Sequence, residues 1–240
     1  MDEQPKILVT VAARGGSKGV RNKNIRELCG KPLIAHTIEQ AKRWGRAARI
    51  VCSTDAEAIA SVARQYEAEV PFMRPDDLAM DTSGKIPVLR HAWRECERIW
   101  GERYDMLLDL DATAPIRSQA DIEGLYQTFI SRRPDAVVSV TPARRSPYFN
   151  MLEEGKDGFV GLPKKLERPL LRRQDAPKVY DMNASIYAYA RDFLLNERTM
   201  SAVEGRTLVW VMDEKSAFDI DTEEDFLFVE YLVSRGVVKL

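Results

Sequence analysis

Six short apolar runs recur along the chain, and each gives way to polar, small or charged residues. The first, Ile7 to Ala12 (ILVTVA), is β-rich and continuous, which predicts a strand buried on both faces. RIVCS at 49–53, YDMLLDL at 104–110, AVVSV at 136–140, residues 179–190 and TLVWVM at 207–212 read the same way. Between them, apolar positions fall at helical spacing over 32–44, 56–66, 88–100, 120–132 and 222–232. Pro32 suits the first turn of its helix, and Thr54 or Asp55, and Ser118 or Asp121, suit starts of others. Strand and helix in alternation predict an α/β architecture: a mostly parallel twisted sheet with helices on both faces. The pattern breaks over 142–178, which holds five of the twelve prolines and many charges. That stretch is expected to form an inserted, protruding arm or small hairpin on a single domain spanning 1–240.

Composition narrows the function classes. The chain has 240 residues, enough for a full apolar core without disulfides. Lysine and arginine total 36 against 37 acids, so no basic excess marks a nucleic-acid binder. No run approaches the roughly 20 apolar residues of a membrane span. The opening MDEQPKILVTVAARGG puts acids before a short apolar run, the reverse of a secretory leader. Cys29, Cys52 and Cys96 are scattered and form no CxxC. Together these features predict a cytoplasmic protein with reduced thiols.

Three constellations carry candidate chemistry. Arg14-Gly-Gly-Ser17-Lys18-Gly, with Lys23-Asn24 shortly after, follows the first strand and gathers donors beside residues small enough for close backbone approach. Such a turn suits a triphosphate, although its Ser-Lys order is not that of a Walker A loop, and a solvated basic turn has the same composition. Asp219-Ile220-Asp221 places two carboxylates at i and i+2 of an extended segment, where they can share one hard cation. The same acids would also serve the start of the following helix. Asp109-Leu110-Asp111 repeats the spacing at the exit of the 104–110 strand, where a lone Asp111 is also an ordinary turn former. His36 and His91 lie inside helical stretches and read as structural.

Eight blocks in register carry a resemblance. They are AARGGSKGVRNKN (12–24), KPLIAHTI (31–38), STD (53–55), RPDDLAMD (74–81), ATAPIR (112–117), SPY (146–148), RRQDAP with MNASIY (172–187), and DIDTEEDF (219–226). The chain resembles the bacterial CMP-sialic acid synthetases, the acylneuraminate cytidylyltransferases, with their legionaminic- and pseudaminic-acid relatives. The resemblance implies a Rossmann-like, GT-A-like nucleotidyltransferase fold that moves CMP from CTP to an acidic nine-carbon keto-sugar. It implies phosphate contacts from Arg14, Ser17, Lys18, Lys23 and Asn24, with Arg14, Lys18 and Asp221 catalytic. Arg74 and 83–85, with Ser83 and Lys85, would frame the cytidine. Arg173 and Asn183 would receive the sugar acid, Asp219 and Asp221 would hold Mg2+, and the 142–178 arm would pair two subunits in a homodimer. Two departures stand out: Lys85 replaces a small hydroxyl residue, and DLDATAPIR replaces LLQPTSPLR. The second puts Asp111 where a glutamine usually sits, so Asp111 is expected either to join the metal or to contact the sugar, with a diamino sugar of the legionaminic type favoured. The rival readings are the same fold acting on Kdo or a sugar phosphate, and a nucleotide-binding module without turnover.

Overall fold

The computed structural model describes residues 5–240 except residues 17, 169 and 171, and of Arg173 it describes the backbone only. In chain order the elements are β1 Ile7–Ala12, β2 Glu27–Leu28, β3 Lys31–Pro32, α1 Leu33–Trp44, β4 Arg49–Ser53, α2 Glu57–Gln65, α3 Lys85–Trp100 and β5 Met106–Leu110. They continue with α4 Gln119–Arg132, β6 Ala136–Pro142, β7 Glu153–Glu154, β8 Val160–Gly161, β9 Tyr180–Ala190, α5 Arg191–Leu195, β10 Thr207–Val211 and α6 Glu223–Ser234. Among the described residues, the main sheet has six strands in the order β10-β6-β9-β5-β1-β4. β1 pairs parallel with both β4 and β5, and β10 pairs parallel with β6, whereas β9 lies antiparallel between β5 and β6. The sheet is therefore mostly parallel, as the alternation predicts, with one reversed strand that the apolar pattern does not distinguish.

The continuous apolar runs are explained by burial on both faces. Ile7 and Val9 of β1 pack with Trp44 of α1 and Leu125 and Phe129 of α4, while Leu8 packs with Leu89 and Trp93 of α3 on the opposite face. β9 divides likewise: Ile186 and Ala188 join the first cluster, and Tyr187 and Tyr189 join the second with their rings stacked 6.2 Å apart. α3 starts at Lys85, three residues before the apolar period, because Pro87 needs no N–H partner in a first turn. α4 and α6 each open with a full capping box, Ser118 with Asp121 and Thr222 with Asp225.

The parallel run β4-β1-β5 sends three chain exits to one edge of the sheet. A separate cluster of Val20, Leu28, Leu33, Ile220, Phe226 and Val229 ties the turn after β1 to the segment before α6. Those contacts bring two stretches 200 residues apart to the same place. The described residues of 142–178 contribute no strand to the main sheet beyond Pro142; they carry the two-residue ribbon β7–β8 and a short 3-10 turn at Arg173–Asp175.

Candidate active site

The turn after β1 is pinned from beneath. Ala13 N–H donates to the Ser53 carbonyl at 3.0 Å and Gly15 N–H to Asp55 Oδ1 at 2.9 Å. Asn24, buried below the turn, donates its side-chain amide to the Arg14 carbonyl at 3.0 Å. The backbone is fixed while the Arg14 and Lys18 side chains stay partly or largely in solvent, and both pair with Asp81, Arg14 at 2.6 Å. Gly19 passes directly against the Asp221 main chain, where any Cβ would overlap the Asp221 carbonyl oxygen. Lys23 fastens the two stretches together: its Nζ donates to the Ile220 carbonyl at 2.5 Å and to Asp221 Oδ1 at 3.1 Å. The result is a cleft of about 270 Å³ walled by Arg14, Lys18, Lys23, Asn24, Thr113 and Asp221. Three cations, one exposed carboxylate and a threonine hydroxyl converge there, a donor set for a polyphosphate accompanied by a cation.

The carboxylate pairs differ. Ile220 anchors the second pair by donating its N–H to the Thr113 carbonyl at 2.8 Å. On one side of it, Asp219 is largely buried, and its Oδ1 has no hydrogen-bond partner. Burial pushes its carboxyl above the ordinary range; the Thr113 hydroxyl acts in the other direction, and the nearby Asp111 and Asp221 charges add to the rise. A partnerless buried oxygen next to an open carboxylate two residues on is an arrangement that a hard cation satisfies, and magnesium is characteristically held by one or two carboxylates with phosphates completing its shell. A hard divalent cation therefore fits Asp219 and Asp221.

Asp111 is committed elsewhere. Lys85 Nζ donates to Asp109 Oδ2 at 2.9 Å and to Asp111 Oδ2 at 2.6 Å, and lies 4.5 Å from the centre of the Tyr187 ring. Thr113 supplies Asp111 Oδ1 with its N–H at 3.3 Å and its hydroxyl at 3.1 Å. Burial alone would raise the Asp111 carboxyl, but Lys85 and Thr113 outweigh it and hold it below the usual range. Burial disfavours the Lys85 ammonium, yet the Asp109 and Asp111 charges carry it above its ordinary value. Among the described residues no three His, Cys, Asp or Glu side chains stand close enough to form a metal cluster. Asp111, expected as a possible third ligand, is thus engaged by an internal cation, and Lys85, expected at the cytidine, is that cation.

Other expected contacts have internal partners. Arg74 is buried and donates Nε to Ser53 Oγ at 3.2 Å and Nη2 to the Ser53 carbonyl, at the exit of β4. Ser83 Oγ closes its own turn on the Asp77 carbonyl at 3.0 Å. Asn183 is buried, accepting from Ser139 Oγ at 2.7 Å and donating to the Ser216 carbonyl at 3.1 Å. Ser17 and the Arg173 side chain lie outside the described residues. His36 holds the Leu28 carbonyl at 2.8 Å and His91 packs its edge on Phe72, so both serve the scaffold. Sequence reasoning assigned no role to Thr113 or Asp81. Thr113, two residues after Asp111, carried the signal of a side-chain turn; Asp81 lay within a quoted block without an indicated partner.

An α/β sheet with a cationic turn at its carboxyl edge and a facing acidic segment places its candidate site where open α/β folds bind ligands. The cytidylyltransferase family model matches residues 8–141, and the chain belongs to that family. It is 48% identical over 231 residues to the post-translational flagellin modification protein B of Campylobacter coli, covering 96% of each chain. It is 46% identical to the CMP-N,N'-diacetyllegionaminic acid synthase of Campylobacter jejuni, covering 95% of each. Among solved structures, a CMP:2-keto-3-deoxy-manno-octonic acid synthetase in complex with CTP matches with a TM-score of 0.70 at 17% identity, covering 96% of this chain and 99% of the other, which establishes likeness of fold.

Proposed function

We propose that the chain transfers CMP from CTP to the C2 hydroxyl of a nine-carbon 2-keto-3-deoxy sugar acid, releasing pyrophosphate. The observation that carries this reading is the single cleft in which Arg14, Lys18 and Lys23 face Asp221. The sugar hydroxyl attacks the α-phosphorus in line, and the protein contributes position and charge. Arg14 and Lys18 neutralise the charge gathering on the α-phosphate and the departing pyrophosphate. Lys23 keeps Asp221 turned into the cleft, and Asn24 fixes the backbone from which Arg14 projects. When bound at Asp219 and Asp221, Mg2+ supplies Lewis-acid neutralisation of phosphate oxygens.

The sugar we propose is of the N,N'-diacetyllegionaminic type. Lys85, shared between Asp109 and Asp111, offsets part of the Asp111 charge that would otherwise repel any acidic sugar. The relative from Campylobacter jejuni that carries this substrate in its name supports the choice. We further propose a cytoplasmic homodimer joined through 142–178, where Leu152, Phe159 and Val160 are 68%, 78% and 61% exposed, a costly display for a monomer. No described helix is long and apolar enough to cross a membrane.

CTP-dependent pyrophosphate release, measured side by side with N,N'-diacetyllegionaminic, pseudaminic, N-acetylneuraminic and Kdo acids, tests the proposal. The legionaminic acid is expected to give the highest kcat/KM. Turnover with Kdo alone would overturn the nine-carbon assignment, and light scattering of a fully active monomer would overturn the dimer.

A further inference from the structure

Arg14 and Lys18 extend partly and largely into solvent after β1, yet neither is unpaired, because Asp81 bridges them with one carboxylate oxygen each. Asp81 does not belong to the turn. It stands on the exposed stretch between Arg74, fixed to Ser53 at the exit of β4, and Lys85, fixed to Asp109 and Asp111 at the exit of β5. Both ends of that stretch are anchored, while Met80, Asp81 and Thr82 between them are exposed. Ser83 closes this stretch on itself, its hydroxyl donating to the Asp77 carbonyl and its N–H to the Met80 carbonyl, both at 3.0 Å, so releasing the two cations requires only the exposed Asp81 side chain to turn away. Lys18 and Arg14 hold the Asp81 carboxyl below the usual range, so it stays charged at neutral pH.

We propose that Asp81 is the resident counter-anion of the phosphate turn, displaced by the polyphosphate of the incoming nucleotide and restored when pyrophosphate leaves. The inference rests on the nucleotidyl-transfer reading of the cleft and adds a residue that sets which ligands settle there. A carboxylate offers two oxygens to the cation pair; a triphosphate offers more oxygens and more charge, and so displaces it where a single weak anion does not. Exposed ion pairs are weak, so the exchange is cheap enough to occur in every cycle. The same weakness makes the device reversible: Asp81 competes with the leaving pyrophosphate for the two side chains that would otherwise retain it. Its role is selection and release, with no bond made or broken.

Calorimetric titration of the full chain with CTP, pyrophosphate and cytidine, in the presence of Mg2+, provides the test, using the wild type, Asp81→Asn and the charge-matched control Asp76→Asn. Asp81→Asn is expected to tighten CTP and pyrophosphate by roughly threefold to fivefold, the scale of an exposed ion pair, and to leave cytidine unchanged. Pyrophosphate should become a correspondingly stronger product inhibitor, while Asp76→Asn behaves as wild type. Unchanged or weaker binding of CTP and pyrophosphate by Asp81→Asn overturns the proposal, as does an equal gain in Asp76→Asn. A wild type that binds pyrophosphate but no CTP would retire the cytidine reading and leave Asp81 to be judged on pyrophosphate alone.

Discussion

Two aspartate pairs with identical spacing stand near the same sheet edge, Asp109–Asp111 leaving β5 and Asp219–Asp221 ahead of α6. The first is closed: Asp109 accepts from the Thr10 hydroxyl at 2.8 Å, and both acids share the Lys85 ammonium. The second is open, since Asp219 keeps a buried oxygen without a partner and Asp221 is 74% exposed toward the cleft. Where the chain supplies its own cation, a carboxylate pair is part of the scaffold. Where it does not, a carboxylate pair can take one from outside, which is the role proposed for Asp219 and Asp221. Lys23 only half-fills that need, because it reaches Asp221 and the Ile220 carbonyl while Asp219 Oδ1 stays unpartnered.

The comparison breaks most visibly at Asp221. Replacing it with alanine is expected to lower kcat by roughly 100-fold or more, the scale on which transition-state charge stabilisation is lost. Its exposure predicts that the melting temperature will barely move. An Asp221→Ala enzyme with near-normal turnover would remove the open pair from the mechanism. Next in size is Lys85→Met, which strips the closed pair of its cation and leaves the fully buried Asp109 without it. Breaking such a pair costs roughly 3 kcal/mol, read as a fall in Tm of about 6 to 12 °C. Adding Asp111→Asn to Lys85→Met should recover part of the loss, because one of two adjacent like charges is gone. A Lys85→Met protein as stable as wild type would show that the closed pair is not held by Lys85.

These two pairs also mark how far the sequence could be read. The strands were legible because burial on both faces writes continuous apolar runs, as in ILVTVA, and the helices because their apolar stripes and caps are local. The meeting of Gly19 with Asp221 was legible only through the resemblance, since the contacts that enforce it run through Val20, Ile220 and Phe226, far apart in the chain. The partner of Asp111 was not legible. Lys85 lies 26 residues earlier, at the start of a helix on another crossover, and spacing carries no information about which cation a fold delivers to which acid. The partners of Asn183, named as a sugar contact through the resemblance, were not legible for the same reason: its amide engages Ser139 and Ser216, from two other segments. Local patterns report periodicity and caps; charge pairing across crossovers becomes visible only in three dimensions.

The smallest predicted effect separates function from stability within the open pair. Burial raises the Asp219 carboxyl, so folding disfavours its charged form relative to the unfolded chain. A group whose folded pKa is raised contributes stability below its unfolded pKa, near 3.9 for aspartate, and loses that contribution as pH climbs through the folded value. At pH 7 the Asp219 carboxyl of the metal-free protein thus opposes folding. Asp219→Asn removes that carboxyl, and the metal-free variant is expected to melt about 2 °C above wild type at pH 7, with the advantage vanishing toward pH 4. Adding Mg2+ should raise the Tm of wild type and leave the variant nearly unmoved, while turnover falls despite the gain in stability. Thermal melts across pH 4 to 8, with and without Mg2+, read all three. An Asp219→Asn protein less stable than wild type at pH 7 would mean that the orphaned oxygen is already satisfied from within, and the distinction between the two pairs would rest on Asp221 alone.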